Sequence, residues 1–425
     1  TELAAKAGVA ALEVEYDTLP FVLDPVAAMA EGVAQIQESY PGNVLAHTRV
    51  SVGDFENAIR EPGLVKVEGT YDTGTVQHCH IENHICFAEA EGGRVTVTSS
   101  TQIPQIVRRV VGQALGVGWG KVRIIKPYIG GGFGNKQDAL YEPLCAWVCT
   151  QVGGRTVKID TTREETFVNQ RVRHAMQIKI TSWVRPDGTF AARRYECYSD
   201  QGGYASHGHS IASKAMNCFH EMYQCANVES DAWTVYTNKP SAGAMRGYGI
   251  PQAMWAGECH IDDVCKQMGF DPVQFRIQNI MEAGHVNHFN KNENFNDSLR
   301  STLLKGAEHF GYAETLARCE SQDPAARIRR GVGVASFWYN TAVWPISLES
   351  SASRMVLNED GTISLQLGET EIGQGGDTVF AQMAADAVGV DYTAINVVTN
   401  QDTDVAPFGT GAYGSRQTYV AGFTI

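Results

Sequence analysis

A glycine-rich loop at residues 129–136 (Ile-Gly-Gly-Gly-Phe-Gly-Asn-Lys) has the residue types best suited to ligand chemistry in this chain. Because glycine lacks a Cβ atom, such a loop can adopt positive φ angles and bring backbone N–H groups close to an anionic or sulfur-bearing edge of a ligand. The loop follows residues 121–126, whose composition predicts a strand. The pattern therefore predicts a cofactor-binding loop, with a plain turn or a β-bulge as the alternative.

A second glycine cluster, residues 373–376, leads into a predicted helix at residues 378–388. The N–H groups and the dipole at the start of that helix would face whatever ligand lies there, and a phosphate suits both. An N-cap by Asp377 is the alternative. Gln102 and Gln374 suit a neutral polar ligand, because an amide donates and accepts hydrogen bonds without adding charge.

Two other polar segments could bind ligands. Arg246 lies between Gly243 and Gly247, so its guanidinium is open to a planar or anionic substrate. A structural ion pair with a carboxylate is the alternative. Residues 78–84 contain three histidines and one glutamate, yet no second cluster completes a coordination shell. We therefore predict that protein side chains hold no metal.

Composition narrows the class of protein. The chain has 425 residues, 43% hydrophobic and 19% charged, which predicts two or three globular domains. A net charge of -13 disfavours nucleic acid and anionic membranes as partners, and no run approaches the ~18 apolar residues of a membrane span. Ten cysteines without a C-x-x-C pair favour buried free thiols in a reducing compartment, so we expect a cytoplasmic protein.

Strands and helices alternate along the whole chain. Period-two alternation predicts strands at residues 65–71 and 94–98. Turn residues predict hairpins that reverse at residues 186–188 and 360–361. The 3.6-residue periodicity predicts helices at residues 106–115, 141–152, 252–268, 272–280 and 378–388. This mixture predicts an α+β fold.

An internal similarity links two parts of the chain. Residues 101–134 and 373–414 share the order of a glutamine, a helix, a Gly-Val pair, a strand and a glycine-bearing loop. The similarity predicts two related units that face one large ligand across a cleft. Chance resemblance of two ordinary helix–strand units is the alternative.

Four motifs carry a family resemblance. Residues 99–102, 130–136, 238–249 and 370–375 occur in the order and approximate spacing of the molybdenum-binding subunit of xanthine dehydrogenase, and the chain most resembles the bacterial, separately encoded form. The resemblance implies two mixed-sheet cofactor-binding units around a cleft. It implies a hammerhead-domain remnant and connector at residues 1–45, a first molybdenum-cofactor-binding domain at 46–305 and the start of a second at 306–425. It also implies a chain truncated at both ends.

The same resemblance implies a cofactor, a molybdenum–pterin in the mononucleotide or cytosine dinucleotide form. The dithiolene of the pterin would hold the metal, which agrees with the absence of a protein ligand cluster. By position, Gln102 would hydrogen-bond an oxo ligand of molybdenum, Phe133 and Gly134 would offer backbone N–H groups, and Gln374 would contact the pterin. The implied cofactor-binding residues are Gln102, Gly132, Phe133, Gly134, Arg246, Gln374, Gly375, Ser415 and Arg416, the last two near a phosphate or dinucleotide tail.

The substrate pocket implied by the resemblance departs from the family pattern. Arg246 and Tyr248 match an Arg-Gly-Phe sequence, with tyrosine in place of phenylalanine. Gln137 stands where purine oxidisers usually have a glutamate, and Lys214 stands near a substrate-binding arginine position. Gln102 and Arg246 are the implied catalytic residues. No Gly-Glu-Pro motif supplies the family's general base, so we expect that base on a missing segment or another polypeptide.

The implied reaction is hydroxylation of a purine or related N-heteroaromatic with water as the oxygen source, or of an aldehyde or other heterocycle. Without an iron–sulfur cysteine run or a flavin motif, the [2Fe–2S] cluster and FAD of the family would lie on partner subunits. A heteromeric complex, or a dimer of such heteromers, follows. The alternatives are a non-redox nucleotide-binding module and a truncated chain that folds without completing its active site.

Overall fold

The computed structural model describes residues 1–288, 291–343 and 349–425. Its three sheets contain β1 (Val44–Val52), β2 (Val65–Thr73), β3 (Ile85–Glu91), β4 (Arg94–Ser99), β5 (Val122–Lys126), β6 (Val157–Asp160), β7 (Met176–Val184), β8 (Phe190–Gly202), β9 (Val228–Tyr236), β10 (Ser353–Leu357), β11 (Ile363–Leu367), β12 (Ile395–Val397) and β13 (Gln401–Asp402). The helices are α1 (Glu2–Ala10), α2 (Pro25–Ala28), α3 (Phe55–Ala58), α4 (Pro104–Leu115), α5 (Glu142–Gln151), α6 (Arg163–Asn169), α7 (Gly208–Met222), α8 (Ile250–Met268), α9 (Pro272–Asn279), α10 (Ser298–Phe310), α11 (Tyr312–Glu320), α12 (Gly376–Val388) and α13 (Gln417–Gly422). The α+β class with mixed sheets is confirmed.

The largest core lies between a five-stranded sheet, in the order β1-β9-β8-β7-β2, and helices α7 and α8. The chain leaves β8, forms α7 and returns as β9 parallel to β8, while the other neighbouring strands are antiparallel. Ile178 and Tyr195 on the sheet and Met216 on α7 are fully buried. This layer of sheet and helices supports the loop that carries Arg246 at the start of α8.

The second sheet has the order β13-β5-β4-β3-β6 and packs against α4 and α5. Its core contains Val97, Val107, Ile124 and Cys145, all fully buried. The glycine loop at residues 129–136 follows β5, so this sheet fixes its position. A third sheet, β10-β11-β12, packs against α12.

The internal similarity seen in the sequence is also present in the topology. β3 and β4 form an antiparallel pair, and α4 connects β4 to the parallel strand β5. β10 and β11 pair in the same way, and α12 connects β11 to the parallel strand β12. Both connecting helices end at a glycine with positive φ, Gly116 (67°) and Gly389 (76°). Chance resemblance does not account for so many matching steps.

The two related units are joined through a shared sheet. Strand β13 follows β12 of the second unit but pairs with β5 of the first, with Gln401 opposite Lys126. Nζ of Lys126, which is fully buried, donates to the backbone oxygen of Glu371 at 3.0 Å. Burial lowers the pKa of this lysine to about 8, and the charges of Asp377 and Glu371 partly offset the shift. The two units that form the walls of the cleft are therefore joined by strand pairing and by a buried hydrogen bond.

Most of the predicted elements are confirmed. The hairpins at residues 186–188 and 360–361 join β7 to β8 and β10 to β11, and the five predicted helices correspond to α4, α5, α8, α9 and α12. Helix α7 was not predicted; 13 of its 15 residues are buried, and these include polar residues such as Lys214, Asn217 and His220, so its polar positions do not mark a side that faces solvent. Among the described residues, no helix has the length and apolar character needed to cross a bilayer.

Candidate cofactor-binding cleft

A cavity of about 1010 Å³ lies where the loops before α8, α12 and α13 meet the glycine loop after β5. This volume is at the upper end for small-molecule sites, so it can hold a large ligand. The lining residues are Cys79, Ile81, Gln102, Gly130, Gly131, Gly132, Phe133, Gly134, Gln137, Ala244, Met245, Arg246, Gly247, Tyr248, Tyr339, Ile372, Gly373, Gln374, Ala412, Tyr413, Gly414, Ser415, Gln417 and Thr418. Of the residues predicted from sequence, only Lys214, Gly375 and Arg416 are not among them.

Gln102 connects the two units at the base of the cavity and is 2% exposed. Its Oε1 accepts a hydrogen bond from the N–H of Gly134 at 2.9 Å, and its Nε2 donates to the backbone oxygen of Ala412 at 2.5 Å. An amide nitrogen carries two protons. Within the described residues only one of them has a partner, so the second is available to a ligand.

Glycines allow the backbone to approach Gln102 closely. A Cβ atom on Gly132 would lie 2.4 Å from Oε1 of Gln102, and one on Gly411 would lie 2.2 Å from its backbone oxygen. A Cβ on Gly134, whose φ is +106°, would lie 2.6 Å from the oxygen of Ala244. The glycine loop is therefore required for close packing around an amide. A plain turn would not need these contacts.

Phe133 has an unusual backbone conformation in the middle of the glycine loop. Its φ of 54° lies in the left-handed region, which a bulky residue adopts only when its surroundings impose it. Its carbonyl accepts from the N–H of Arg246 at 2.9 Å. Its own N–H has no partner in the described part of the chain. The constraint therefore leaves a backbone donor beside the cavity.

A carboxylate occupies the start of helix α12. Oε1 of Glu371 accepts from the N–H groups of Gly373 (2.6 Å) and Gly375 (3.2 Å), and its Oε2 accepts from Asp377 (2.9 Å). Burial raises the pKa of Glu371, but these backbone hydrogen bonds lower it by more. The Asp377 side chain accepts from Thr399 instead. Glu371 therefore takes three of the N–H groups at the start of α12, and the N-cap is Gly375 rather than Asp377.

Gln374 lies at the exposed edge of the same loop. Its Oε1 accepts from the N–H of Ile372 at 2.8 Å, and its Nε2 donates to Oε1 of Gln417 at 2.5 Å. The loop is tied to the first unit by the N–H of Gly131, which donates to the oxygen of Ile372 at 3.0 Å. The two glutamines predicted from sequence thus line one cavity from different units.

Arg246 and Tyr248 line the cavity from the first unit. Arg246 is exposed and forms no ion pair among the described residues. The structural ion pair that was the alternative prediction for Arg246 is therefore not observed. Tyr248 has a φ of 51°, and its hydroxyl lies 2.9 Å from Nδ1 of His207. Burial raises the pKa of Tyr248, which keeps its hydroxyl protonated.

Lys214 lies behind the residues that line the cavity. It is 8% exposed, and its Nζ lies 5.8 Å from the ring centroid of Tyr248 and 5.6 Å from that of Tyr339. Burial lowers the pKa of Lys214. Gln137 lines the cavity and is half-buried. The positions where the resemblance expects two charged substrate contacts thus hold a neutral amide at the cavity wall and a lysine beneath two aromatic rings.

The Arg416 side chain does not face the cavity. It is fully buried and bonds to Glu349 and Glu369, with nitrogen–oxygen distances of 2.6 Å in both pairs. Its guanidinium is therefore not available to a phosphate, contrary to the expectation for this residue. Ser415 does line the cavity, and its hydroxyl donates to that of Tyr339 at 2.9 Å.

The histidines of residues 78–84 each have a separate protein partner. Nε2 of His78 bonds to the backbone oxygen of Ala244 at 2.7 Å, Nε2 of His80 bonds to Asn135 at 2.8 Å, and Nε2 of His84 bonds to Glu142 at 3.2 Å. The segment is not a strand, so these rings do not share a face. All ten cysteines are free thiols, and seven of them are buried.

Sequence reasoning missed several residues of the cavity wall. Cys79 and Ile81 approach from the segment before β3, and Tyr339 and Tyr413 approach from the second unit. Cys79 and Ile81 lie in the histidine-containing segment 78–84 and Tyr413 lies in the second glycine-bearing loop, but the predictions did not single out these residues. Only the positive φ of Cys79 (54°) distinguishes it, and a backbone angle is not visible in a sequence.

Comparison with known proteins decides the family. Two family models, both described as molybdopterin cofactor-binding domains, match residues 36–280 and 305–425. The chain belongs to the molybdopterin cofactor-binding family. The chain is 45% identical to a putative xanthine dehydrogenase molybdenum-binding subunit of Escherichia coli (strain K12), over 99% of this chain and 55% of that protein. The resemblance to such subunits is confirmed, and the chain spans about half of their length.

Other relatives share the same architecture. The large molybdopterin subunit of nicotinate dehydrogenase from Eubacterium barkeri is 33% identical over 64% of both chains. Aldehyde oxidoreductase from Desulfovibrio gigas superposes with a TM-score of 0.89 at 25% identity, over 100% of this chain and 46% of that one. Quinoline 2-oxidoreductase from Pseudomonas putida 86 superposes with a TM-score of 0.87 at 23% identity, over 99% of this chain and 55% of that one, which shows a shared fold.

The residues of the cleft fit a pterin cofactor. A pterin needs both donors and acceptors, and the second amide proton of Gln102 and the N–H of Phe133 supply donors within the cavity. The glycines allow the backbone to pack closely around Gln102 and so fix the position of its amide. The geometry of the cleft therefore agrees with the family assignment.

Proposed function

We propose that this chain binds a molybdenum–pterin in the cleft and forms the cofactor-carrying part of a hydroxylase. The observation that carries the proposal is the convergence of Gln102, Phe133, Arg246 and Gln374 on one cavity. When bound, the cofactor would supply two-electron oxidation of a substrate carbon with oxygen from water. The chain itself would bind and orient the cofactor and the substrate.

Each cleft residue has a proposed role toward the cofactor. Gln102 would donate its second amide proton, and the N–H of Phe133 would donate beside it. Gln374 and the neighbouring Gly375 would border the pterin at the exposed edge, and Ser415 would border its phosphate-bearing end. These are hydrogen-bonding and positioning roles, and the amide of Gln102 suits them because it is held from both units.

We propose a purine or related N-heteroaromatic as the substrate. Arg246 offers an exposed guanidinium, which pairs with planar polar groups. Tyr248 and Gln137, which also line the cavity, add neutral polar groups. Such a ring presents nitrogen donors and acceptors that match them. An aldehyde has no ring nitrogens to use these contacts.

Partners and the pterin form belong to the same proposal. The relatives are named as subunits, which supports a multi-subunit complex. The iron–sulfur and FAD electron carriers would reside on those partners, and the pterin would be either the mononucleotide or the cytosine dinucleotide form. Ten free thiols favour a reducing compartment such as the cytoplasm.

Metal and pterin analysis tests this function. We would purify the complex from its native host and measure molybdenum by mass spectrometry and the pterin by fluorescence after oxidation. We expect close to one molybdenum and one pterin for each chain. A pure complex that contains a nucleotide but neither molybdenum nor pterin would sink the proposal in favour of a nucleotide-binding module.

A further inference from the structure

The histidine-containing segment at residues 78–84 contacts the end of the glycine loop. Nδ1 of His80 bonds to the backbone oxygen of Glu82 at 2.5 Å, and Nε2 of His80 lies 2.8 Å from Nδ2 of Asn135. Burial lowers the pKa of His80 to about 4, so the ring is neutral. Since a carbonyl only accepts, Nδ1 carries the proton and Nε2 accepts from the amide of Asn135. His80 therefore supports the loop at Asn135.

The carboxylate of Glu82 bonds to both ends of the same loop. Its Oε2 accepts from the backbone N–H of Gly130 at 3.0 Å and from Nζ of Lys136 at 2.5 Å. The backbone N–H of Glu82 donates in return to the oxygen of Gly130 at 3.2 Å. A Cβ atom on Gly130 would lie 2.6 Å from the Cβ of Glu82, so this approach requires glycine.

The ammonium of Lys136 depends on this contact. The Lys136 side chain is fully buried, whereas that of Glu82 is 31% exposed. Burial lowers the pKa of Lys136, the hydrogen bond and the charge of Glu82 oppose that shift, and the charge of Arg163 adds to it. Within the described part of the chain, Glu82 is the carboxylate that pairs with Lys136. Removal of one partner from a buried ion pair is strongly unfavourable, because it leaves an uncompensated charge.

The same end of the loop also holds Gln102. The backbone oxygen of Lys136 accepts from the N–H of Gln102 at 2.9 Å, and the N–H of Gly134 donates to Oε1 of Gln102 at 2.9 Å. Gln102 and Gly134 line the cofactor cavity, whereas Glu82 and Lys136 do not. Glu82 is therefore connected to the cavity only through the glycine loop.

We propose that Glu82 is a positioning residue, whose carboxylate holds both ends of the glycine loop and thereby sets the orientation of the Gln102 amide. The proposal rests on the cofactor-binding function above and gives residues 78–84 a role other than metal binding. Loss of the charge at position 82 leaves Lys136 unpaired in the interior. The end of the loop then moves toward solvent, and Oε1 of Gln102 loses the N–H of Gly134.

The test compares wild type with Glu82→Gln in the intact complex, produced with and without the pterin cofactor. Hydrogen exchange of peptides is measured for residues 129–137, with strand β7 as the reference. Loss of a hydrogen bond to a charged group has an effect of about 10-fold or more, so we expect loop amides to exchange faster by that factor and β7 to be unchanged. We expect the affinity for the cofactor, followed as molybdenum and pterin lost on dialysis, to fall about 10- to 100-fold.

A second variant separates the charge of Glu82 from its hydrogen bond to the loop. In Glu82→Gln/Lys136→Met no cation is buried, and the amide oxygen at position 82 can still accept from Gly130. Replacement of a buried ion pair by uncharged groups is often neutral or stabilising, so we expect most of the protection of the loop to return. If Glu82→Gln does not fold, Glu82→Asp takes its place, because it keeps the charge but is too short to reach both Gly130 and Lys136.

Glu258→Gln is the matched control. Oε2 of Glu258 also accepts from a backbone N–H (Ser336, 2.8 Å) and pairs with a fully buried cation (Arg276, 2.8 Å). None of these residues lines the cofactor cavity or belongs to the glycine loop. We expect urea unfolding to show a less stable chain, without a selective change in the exchange of residues 129–137.

Three outcomes overturn the proposal. Loop amides that exchange as in wild type would show that Glu82 does not hold the loop, and faster exchange of the loop and β7 alike would indicate a general loss of stability. A faster-exchanging loop that retains molybdenum as wild type does would show that Glu82 does not act on the cofactor site. If wild type itself contains neither molybdenum nor pterin, the proposed function fails, while the exchange data still decide whether Glu82 holds the loop.

Discussion

At the scale of single residues, the cleft requires glycine, which has no Cβ atom, at positions that contact Gln102. We predict that Gly132→Ala disrupts the cleft, because its Cβ would lie 2.4 Å from Oε1 of Gln102 and displace that amide. Loss of a supporting contact beside a metal centre typically costs about 10- to 100-fold in affinity. Molybdenum content of the purified complex is the measurement.

Gly120→Ala is the control for that change. No atom lies within 4 Å of a Cβ built on Gly120, and its φ is not positive. We expect normal molybdenum content in this variant. Normal content in Gly132→Ala as well would contradict the role of the Gln102 amide.

A buried carboxyl group gives a second prediction at this scale. Burial raises the pKa of Glu221 to about 7, although a hydrogen bond with Asn287 lowers it. Its neutral form is favoured in the folded state, so its contribution to stability is complete below pH ~4.5 and is lost as the pH rises through 7. Glu221→Gln should therefore become more stable than wild type between pH 5 and 8, by on the order of 1–3 kcal/mol. Urea unfolding at several pH values measures this, and a constant difference would contradict it.

At the scale of elements, buried ion pairs hold the loop before α13. Arg416 links this loop to Glu349 and Glu369, and we expect Arg416→Met to destabilise the chain by about 3–5 kcal/mol because it leaves two carboxylates without their cation. Urea unfolding measures the effect.

Arg49→Met is the control, because Arg49 is 61% exposed and pairs with Glu229 at 3.4 Å. We expect this variant to change the free energy of unfolding by less than about 1 kcal/mol. Equal effects would refute the argument.

Elements with a local signal were predictable from sequence, and others were not. The hairpin at residues 186–188 has its turn residues between two strands, so a few neighbouring residues are enough to predict it. Helix α7 has 13 of 15 residues buried by both the sheet and α8, so its character depends on distant partners. Glu371 illustrates the same limit in the site. A glycine cluster before a helix indicates available donors, but only the fold shows which acceptor takes them.

At the scale of the whole molecule, the two units form one structure. Strand β13 of the second unit pairs with β5 of the first, and Gln102 bonds to Ala412 through both its backbone and its side chain. We predict a single cooperative transition when the chain is heated, because neither wall of the cleft can unfold without exposing these contacts. Differential scanning calorimetry is the measurement, and two separate transitions would contradict the prediction.

The sequence by itself determined the fold class, the internal repeat, the glycine loop and the family, because periodicity, turn chemistry and motif order are local properties of the chain. Only the tertiary structure decided which side chains are available to a ligand. It turned Arg416 inward to two carboxylates, placed the carboxylate of Glu371 against N–H groups at the start of α12, and brought the hydroxyl of Tyr248 to Nδ1 of His207. These outcomes depend on partners far apart in sequence, and a charged or polar group pairs with whatever the fold places within reach.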